Sequence, residues 1–255
     1  MSRLRVRPTL VALLLASLCA AVLSGCGAST IPAVHSEAER LAVARRLMAK
    51  GQWTVAIDLL KTYIENNSGS AEVDEAIYLL GECYLRNKDW TSASIEFERL
   101  LRDYPESDSS GSASFRLGEA IFGQARPPDF DQEYTLKALN QWQSYLRAYP
   151  GHWLNAEAER KVALARRRLA VKLLNTGRLY YKLRLYEPAR VYFERVAREY
   201  SDLDVVGEAW LGLALVEATM GKKLQAIDRL KEIEDRFAGQ SIAARAAHER
   251  ARLER

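Results

Sequence analysis

The chain has 255 residues, 48% of them apolar and 27% charged, and its 37 Lys plus Arg against 33 Asp plus Glu leave a formal charge of +4. This balance excludes a globally disordered or collagen-like chain and gives no nucleic-acid footprint. The three cysteines, Cys19, Cys26 and Cys83, have spacings that fit neither a zinc site nor a disulfide framework, so no metal or cofactor is expected.

Arg3, Arg5 and Arg7 open the chain, an apolar run follows from Leu10 to Leu23, and Leu23-Ser24-Gly25-Cys26 comes next. The run is shorter than the roughly 20 residues a membrane-spanning helix needs. A basic start, a short apolar stretch and small residues before a cysteine make a lipoprotein signal peptide, so residues 1–25 are expected to be removed and Cys26 to carry the lipid. Each buried CH₂ contributes about 0.8 kcal/mol, so three acyl chains would anchor the protein essentially permanently. Gly27, where an Asp would favour retention in the inner membrane, favours the outer membrane. Losing three arginines and no acid leaves a charge of about +1 from Cys26 onward, so charge identifies no partner. Residues 26–36, small and polar around Pro32, read as a tether.

From Glu37 to Arg255 the apolar spacing is 3 and 4 throughout, strand alternation is nowhere sustained, and Gly and Pro fall at segment ends. These features predict an all-α body. Within residues 74–105, Gly81, Tyr84, Trp90, Ala93, Phe97 and Pro105 keep the order and spacing of a tetratricopeptide unit. The small residue at Gly81 would allow close helix packing, Ala93 would fit under the neighbouring helix, and Pro105 would stop the second helix. The frame recurs near 37–68, 111–150, 170–201 and 207–238, with eight extra residues between the helices of the third unit. Ala56, Ala93, Ala138, Ala189 and Ala226 mark the five units at intervals longer than the usual 34 residues or so.

Two-helix units cannot bury their apolar faces alone, so the fold expected is a tetratricopeptide-like α-solenoid of about five helix-turn-helix repeats over residues 37–255. A long unbroken helix from Asn155 to Asn175 would couple the third and fourth repeats, and Ile242 to Arg255 suits a polar capping helix. On the long helix Arg166, Arg167 and Arg168 read either as a solvated face or as a phosphate or headgroup site.

The chain has no GxSxG, no HExxH and no phosphate-binding glycine loop. His35, His152 and His248 are scattered and read as exposed decoration, and Cys83 sits in a helical pattern as a core residue, so no enzyme is expected. What remains is binding. In tetratricopeptide arrays the first helix of each repeat lines a groove, and counting places Leu41, Arg45 and Met48 there from the first repeat. The second repeat contributes Glu75, Tyr78, Glu82, Leu85 and Arg86, and the third Phe115, Glu119 and Phe122. An apolar, aromatic groove with a few charges suits an extended peptide carrying aromatic side chains, its carboxylate paired with Arg45 or Arg86. An offset of one residue in this frame would put the same rings in the core.

A lipobox followed by five long, irregular repeats resembles the BamD family, outer-membrane lipoproteins of the β-barrel assembly machinery. The resemblance is carried by AVARRLMAKGQWTVAIDLL, by FERLLRDYPESD at the end of the second repeat, and by the stretch from Asp131 to Asp202 that contains YLRAYPGH, the long basic helix and LYYKLRLYEPARVYFERVAREYSD. Ser68 and Ser201 depart from the pattern where repeat-ending prolines stand. The resemblance implies a lipid-anchored adaptor of the outer membrane that faces the periplasm. Its C-terminal repeats would dock a BamA-like insertase and other assembly-complex subunits, and its N-terminal repeats would receive the aromatic-ended C-terminal signals of unfolded outer-membrane proteins. A different tetratricopeptide lipoprotein, such as a secretin pilotin or an envelope-constriction factor, stays open on the residues alone, as does a peptidoglycan-processing enzyme.

Overall fold

The computed structural model describes residues 37–255. The leader at 1–25, the tether at 26–36, Cys26 and His35 lie outside the described residues. Among the described residues there are eleven α-helices and no strand. In chain order they are α1 (Glu37–Ala49), α2 (Trp53–Asn66), α3 (Val73–Arg86), α4 (Trp90–Asp103), α5 (Ser110–Gly123) and α6 (Glu133–Ala148). Then come α7 (Asn155–Lys182), α8 (Tyr186–Glu199), α9 (Val206–Thr219), α10 (Lys223–Arg236) and α11 (Ser241–Glu254). Every helix packs on the next, and α1 also meets α3, α3 meets α5, α7 meets α9 and α9 meets α11. Contacts restricted to first and second neighbours make a solenoid of helical pairs, here tetratricopeptide-like.

The sequence accounts for the pairing. In α4, Ala93, Phe97 and Leu100 fall on one stripe and are buried, and the Asp89 side chain caps the helix by accepting the Ser92 N–H at 3.2 Å. Phe97 presses on α3 where the side chain is missing: a Cβ at Gly81 would lie 2.6 Å from its ring. The same device recurs at Gly118 against Trp142, and Phe193 of α8 fills a slot between Gly177 on α7 and Gly212 on α9. Burying rings of this size is worth about 1.5–3 kcal/mol each, and the glycines let the helices approach closely enough to do it.

The long helix runs seven residues beyond its expected end, from Asn155 to Lys182. Gly177 lies within the helix and serves packing: a Cβ there would stand 2.8 Å from Phe193. Ala158 and Ala165 belong to a core with Phe115, Trp142 and Tyr145, whereas Ala170 and Leu174 belong to one with Ala189 and Phe193. One helix therefore closes the N-terminal array and opens the C-terminal one.

Its three arginines each have a partner within the protein, while Arg167 keeps 52% of its side chain exposed. Arg166 pairs with Asp202 at 2.6 and 2.8 Å, Arg167 pairs with Asp204 at 2.9 Å, and Arg168 donates to the backbone oxygens of Ala125 and Arg126. Lys172 Nζ donates to the Asp129 carbonyl at 2.8 Å and Asn175 to the Asp129 carboxylate at 2.8 Å. These bonds strap down the extra loop of the third repeat, and Gln132 tightens it from inside by donating to the Pro127 carbonyl at 2.8 Å.

Candidate peptide groove on the inner face

The first helices of the repeats are stitched together by opposite charges. Arg45 of α1 pairs with Glu75 of α3, Glu82 of α3 with Arg116 of α5 at 2.7 Å, and Glu119 of α5 with Lys161 of α7 at 2.8 Å. Arg178 of α7 reaches Glu208 of α9 at 2.6 Å, and Arg245 of α11 holds the same carboxylate. Opposite charges about one repeat apart make a ladder along one face. The Glu82–Arg116 rung is the most enclosed, its side chains 11% and 18% exposed, against 50% and 40% for Arg45 and Glu75. Solvent and salt leave the outer rungs little net stabilisation, whereas an enclosed pair is costly to break.

Between α3, α5 and α7 the ladder borders a cleft of about 290 Å³. Leu85, Trp90, Phe122 and Trp142 form its apolar lining, and Arg86, Arg116 and Lys161 stand on its rim with Glu119, which pairs with the last two. The Phe122 and Trp142 rings stand 5.6 Å apart, and Trp142 is fixed by its indole N–H, which donates to the Phe115 carbonyl at 3.2 Å. Burial pushes the Glu82 carboxyl above its usual range despite the neighbouring Arg116 and Arg86. Burial also works against the Arg116 charge, but Glu82 and Glu119 outweigh it and hold the guanidinium well above its ordinary value. Glu119, also buried, is drawn below the ordinary carboxylate range by hydrogen bonds from Lys161 and Arg116. Tyr78, raised by burial and then by Glu82, packs on Phe97 with ring centroids 6.0 Å apart.

The expected groove residues divide. Arg45, Glu75, Glu82 and Glu119 fall on the ladder, and Leu85, Arg86 and Phe122 line the cleft. Met48 and Tyr78 are half-buried against the N-terminal core. Leu41 and Phe115 are corrections: both are core residues, 3% and 0% exposed. Helix α5 is covered by α4 and α6, so Phe115 turns into the layer below and meets Tyr145 edge-on at 5.7 Å. Trp90, Trp142, Arg116 and Lys161 were not expected in the groove. Matching opposite charges on successive first helices would have found the last two.

Two other expectations change or gain detail. His152 is not decoration: its Nδ1 accepts from the Tyr145 hydroxyl at 2.7 Å and from the Leu154 N–H at 3.3 Å, closing the turn before α7. Cys83 is fully buried, and burial pushes its thiol up to about 12, which keeps it protonated and unreactive at neutral pH. Among the described residues no helix is long and apolar enough to cross a membrane.

A family model described as "YfiO: Outer membrane lipoprotein" matches residues 42–233. The outer membrane protein assembly factor BamD of Caulobacter vibrioides is 23% identical over 177 residues, 69% of this chain and 58% of that protein, so the match spans less than two thirds of that relative. Among solved structures, a thermophilic TPR protein of Thermus thermophilus is similar at 19% identity and a TM-score of 0.39, covering 84% of this chain and 98% of that one. A tetratricopeptide repeat protein of Parabacteroides merdae is similar at 18% identity and a TM-score of 0.38, covering 85% and 72%.

Proposed function

Because the chain belongs to the YfiO family of outer membrane lipoproteins, we propose that it is a periplasm-facing adaptor of the β-barrel assembly machinery, lipid-anchored through Cys26. In this reading it binds a BamA-like insertase and receives unfolded outer-membrane proteins, as the name of the Caulobacter assembly factor suggests for that relative. The observation that carries the reading is the cleft between α3, α5 and α7, where Leu85, Trp90, Phe122 and Trp142 stand beside a charged rim that includes Arg86. An aromatic residue at the end of a peptide fits the apolar lining, and its terminal carboxylate fits the rim. Arg86 is the cation best placed to take that carboxylate. Its own acid, Glu82, is 3.9 Å away and already committed to Arg116. Arg45 is held by Glu75 and is a poorer candidate.

Binding of a fluorescent peptide ending in a C-terminal Phe tests this reading. Phe122→Ala and Arg86→Ala should each weaken it by about tenfold or more, as expected for losing an aromatic anchor or a charge-assisted bond. A peptide amidated at its C-terminus should bind no better to the parent than the free acid binds to Arg86→Ala. Equal affinity for parent, both variants and amide would exclude the cleft as the receiving site.

A further inference from the structure

Among the described residues most arginines are ion-paired; Arg147, Lys231 and Arg236 are among the cations that are not, and a further set gathers along one edge. At the turns joining the first and second helices of the repeats, Lys50, Lys88, Lys182, Arg184, Lys222 and Lys223 form no ion pair among the described residues. The arginines of α7, by contrast, are all engaged internally. The turns share one backbone solution, with a residue in the left-handed region: Gly51 and Gly221 in two of them, but Lys88 (φ 63°) and Arg184 (φ 60°) in the others. A side chain there is strained relative to glycine, and both strained positions carry a cation.

In repeats 4 and 5 the cations alternate with leucines. Lys182-Leu183-Arg184-Leu185 forms one turn and Lys222-Lys223-Leu224 the other, with Leu183 58%, Leu185 47% and Leu224 78% exposed. The two turns adjoin, since the Tyr181 hydroxyl and Thr219 Oγ1 are 3.2 Å apart. The nearby acids are spent elsewhere, Glu187 on Arg190 and Glu217 on Arg229.

We infer that this edge of repeats 4 and 5 rests on an anionic phospholipid surface. Cations flanking protruding leucines suit a boundary where headgroups neutralise the charge while the leucine tips enter the acyl margin. An acidic protein would satisfy the cations but leave leucines on turn tips without a hollow to enter. The expected tether is compatible with this orientation. Ten extended residues reach about 33 Å, whereas the 13 residues of α1 rise about 20 Å from one edge of the solenoid to the other.

The test is vesicle flotation of the chain from residue 26 onward, as expected after removal of residues 1–25, carrying Cys26→Ser so that neither the apolar leader nor an acyl chain contributes, on phosphatidylcholine alone and on phosphatidylcholine with phosphatidylglycerol. The parent should partition onto the anionic vesicles and release them as salt is raised. Joint replacement of Lys182, Arg184, Lys222 and Lys223 by Gln should lower partitioning at least about tenfold. Leu183→Ser with Leu224→Ser should lower it several-fold on the same vesicles. These side chains are exposed, so unchanged thermal unfolding serves as the fold control. Equal binding to neutral and anionic vesicles, or no loss in either variant, overturns the inference. So does a parent that ignores vesicles but loses a co-purifying acidic protein when the four cations are replaced. Peptide binding by the α3–α5–α7 cleft is read separately and survives either result.

Discussion

The two arrays on either side of α7 use the same repeat for different surfaces. From α1 to the first half of α7, the inner face carries an enclosed rung, Glu82–Arg116, beside a cleft lined by aromatic rings. From the second half of α7 to α11, the equivalent rung is the open Arg178–Glu208–Arg245 triad, with 45%, 28% and 53% of the side chains exposed. Beside this triad the C-terminal array keeps a smaller hollow of about 130 Å³ lined by Tyr181, Phe193, Leu211 and Leu215, and it also exposes leucines and unpaired cations on the turn tips of repeats 4 and 5. Preformed hollows with fixed rings suit ligands that insert a side chain, while open charge and protruding leucines suit flat, extended partners.

The contrast predicts separable stabilities, and the largest test is Phe193→Ala. Phe193 is 2% exposed and sits in a slot formed by Gly177 and Gly212, two residues that cannot fill the space it leaves. The loss should be about 3–5 kcal/mol. Its core shares no buried residue with the N-terminal core of α1 to α5. Hydrogen exchange should therefore accelerate in the second half of α7, α8 and α9, while α2 to α4 stay protected and peptide binding at the cleft survives. Uniform acceleration would mean that the two arrays are one cooperative unit.

Arg116→Met asks whether the enclosed rung differs in kind from the open one. It strands Glu82, 9% exposed and already pushed upward by burial, with only Arg86 nearby at 3.9 Å. Urea unfolding should register a loss of about 3 kcal/mol, and adding Glu82→Leu should recover most of it, because the cost is the stranded charge rather than the missing pair. Arg245→Met in the open triad should cost under about 1 kcal/mol. Equal costs would make the ladder a uniform surface feature.

How much of this was legible in the sequence follows from what each signal encodes. Gly81 with Phe97 and Ala93, or Gly118 with Trp142, are local pairs at fixed spacing, and they name the helix-turn-helix unit before any coordinates exist. Phe115 and Leu41 misled because periodicity gives a stripe without saying which neighbour covers it. A helix packed on both sides, as α5 is, buries more than one stripe. The arginines of α7 were ambiguous for another reason: their partners Asp202 and Asp204 are more than thirty residues away, and only the solenoid brings them within bonding distance.

The smallest effect concerns His152, at the joint where α6 turns into α7. The Leu154 N–H can only donate, so Nδ1 must be the unprotonated nitrogen, and the Tyr145 hydroxyl then donates to it as well. Protonation would turn this acceptor into a donor and remove both bonds. Burial holds the imidazole below its ordinary value near 6.5, so the folded state prefers the neutral ring. The contribution is therefore complete above about pH 6.5 and declines as pH falls through that value toward the folded pKa, because the unfolded chain then binds the proton more readily. Replacing His152 by Gln should flatten the dependence of Tm on pH between neutrality and mild acid by at most about 2 °C. Exchange of the first turn of α7 should respond to acid in the parent and not in the variant, while α3 and α4 respond alike in both. An identical acid response at the first turn in parent and variant would place the pH sensitivity of the joint in another group.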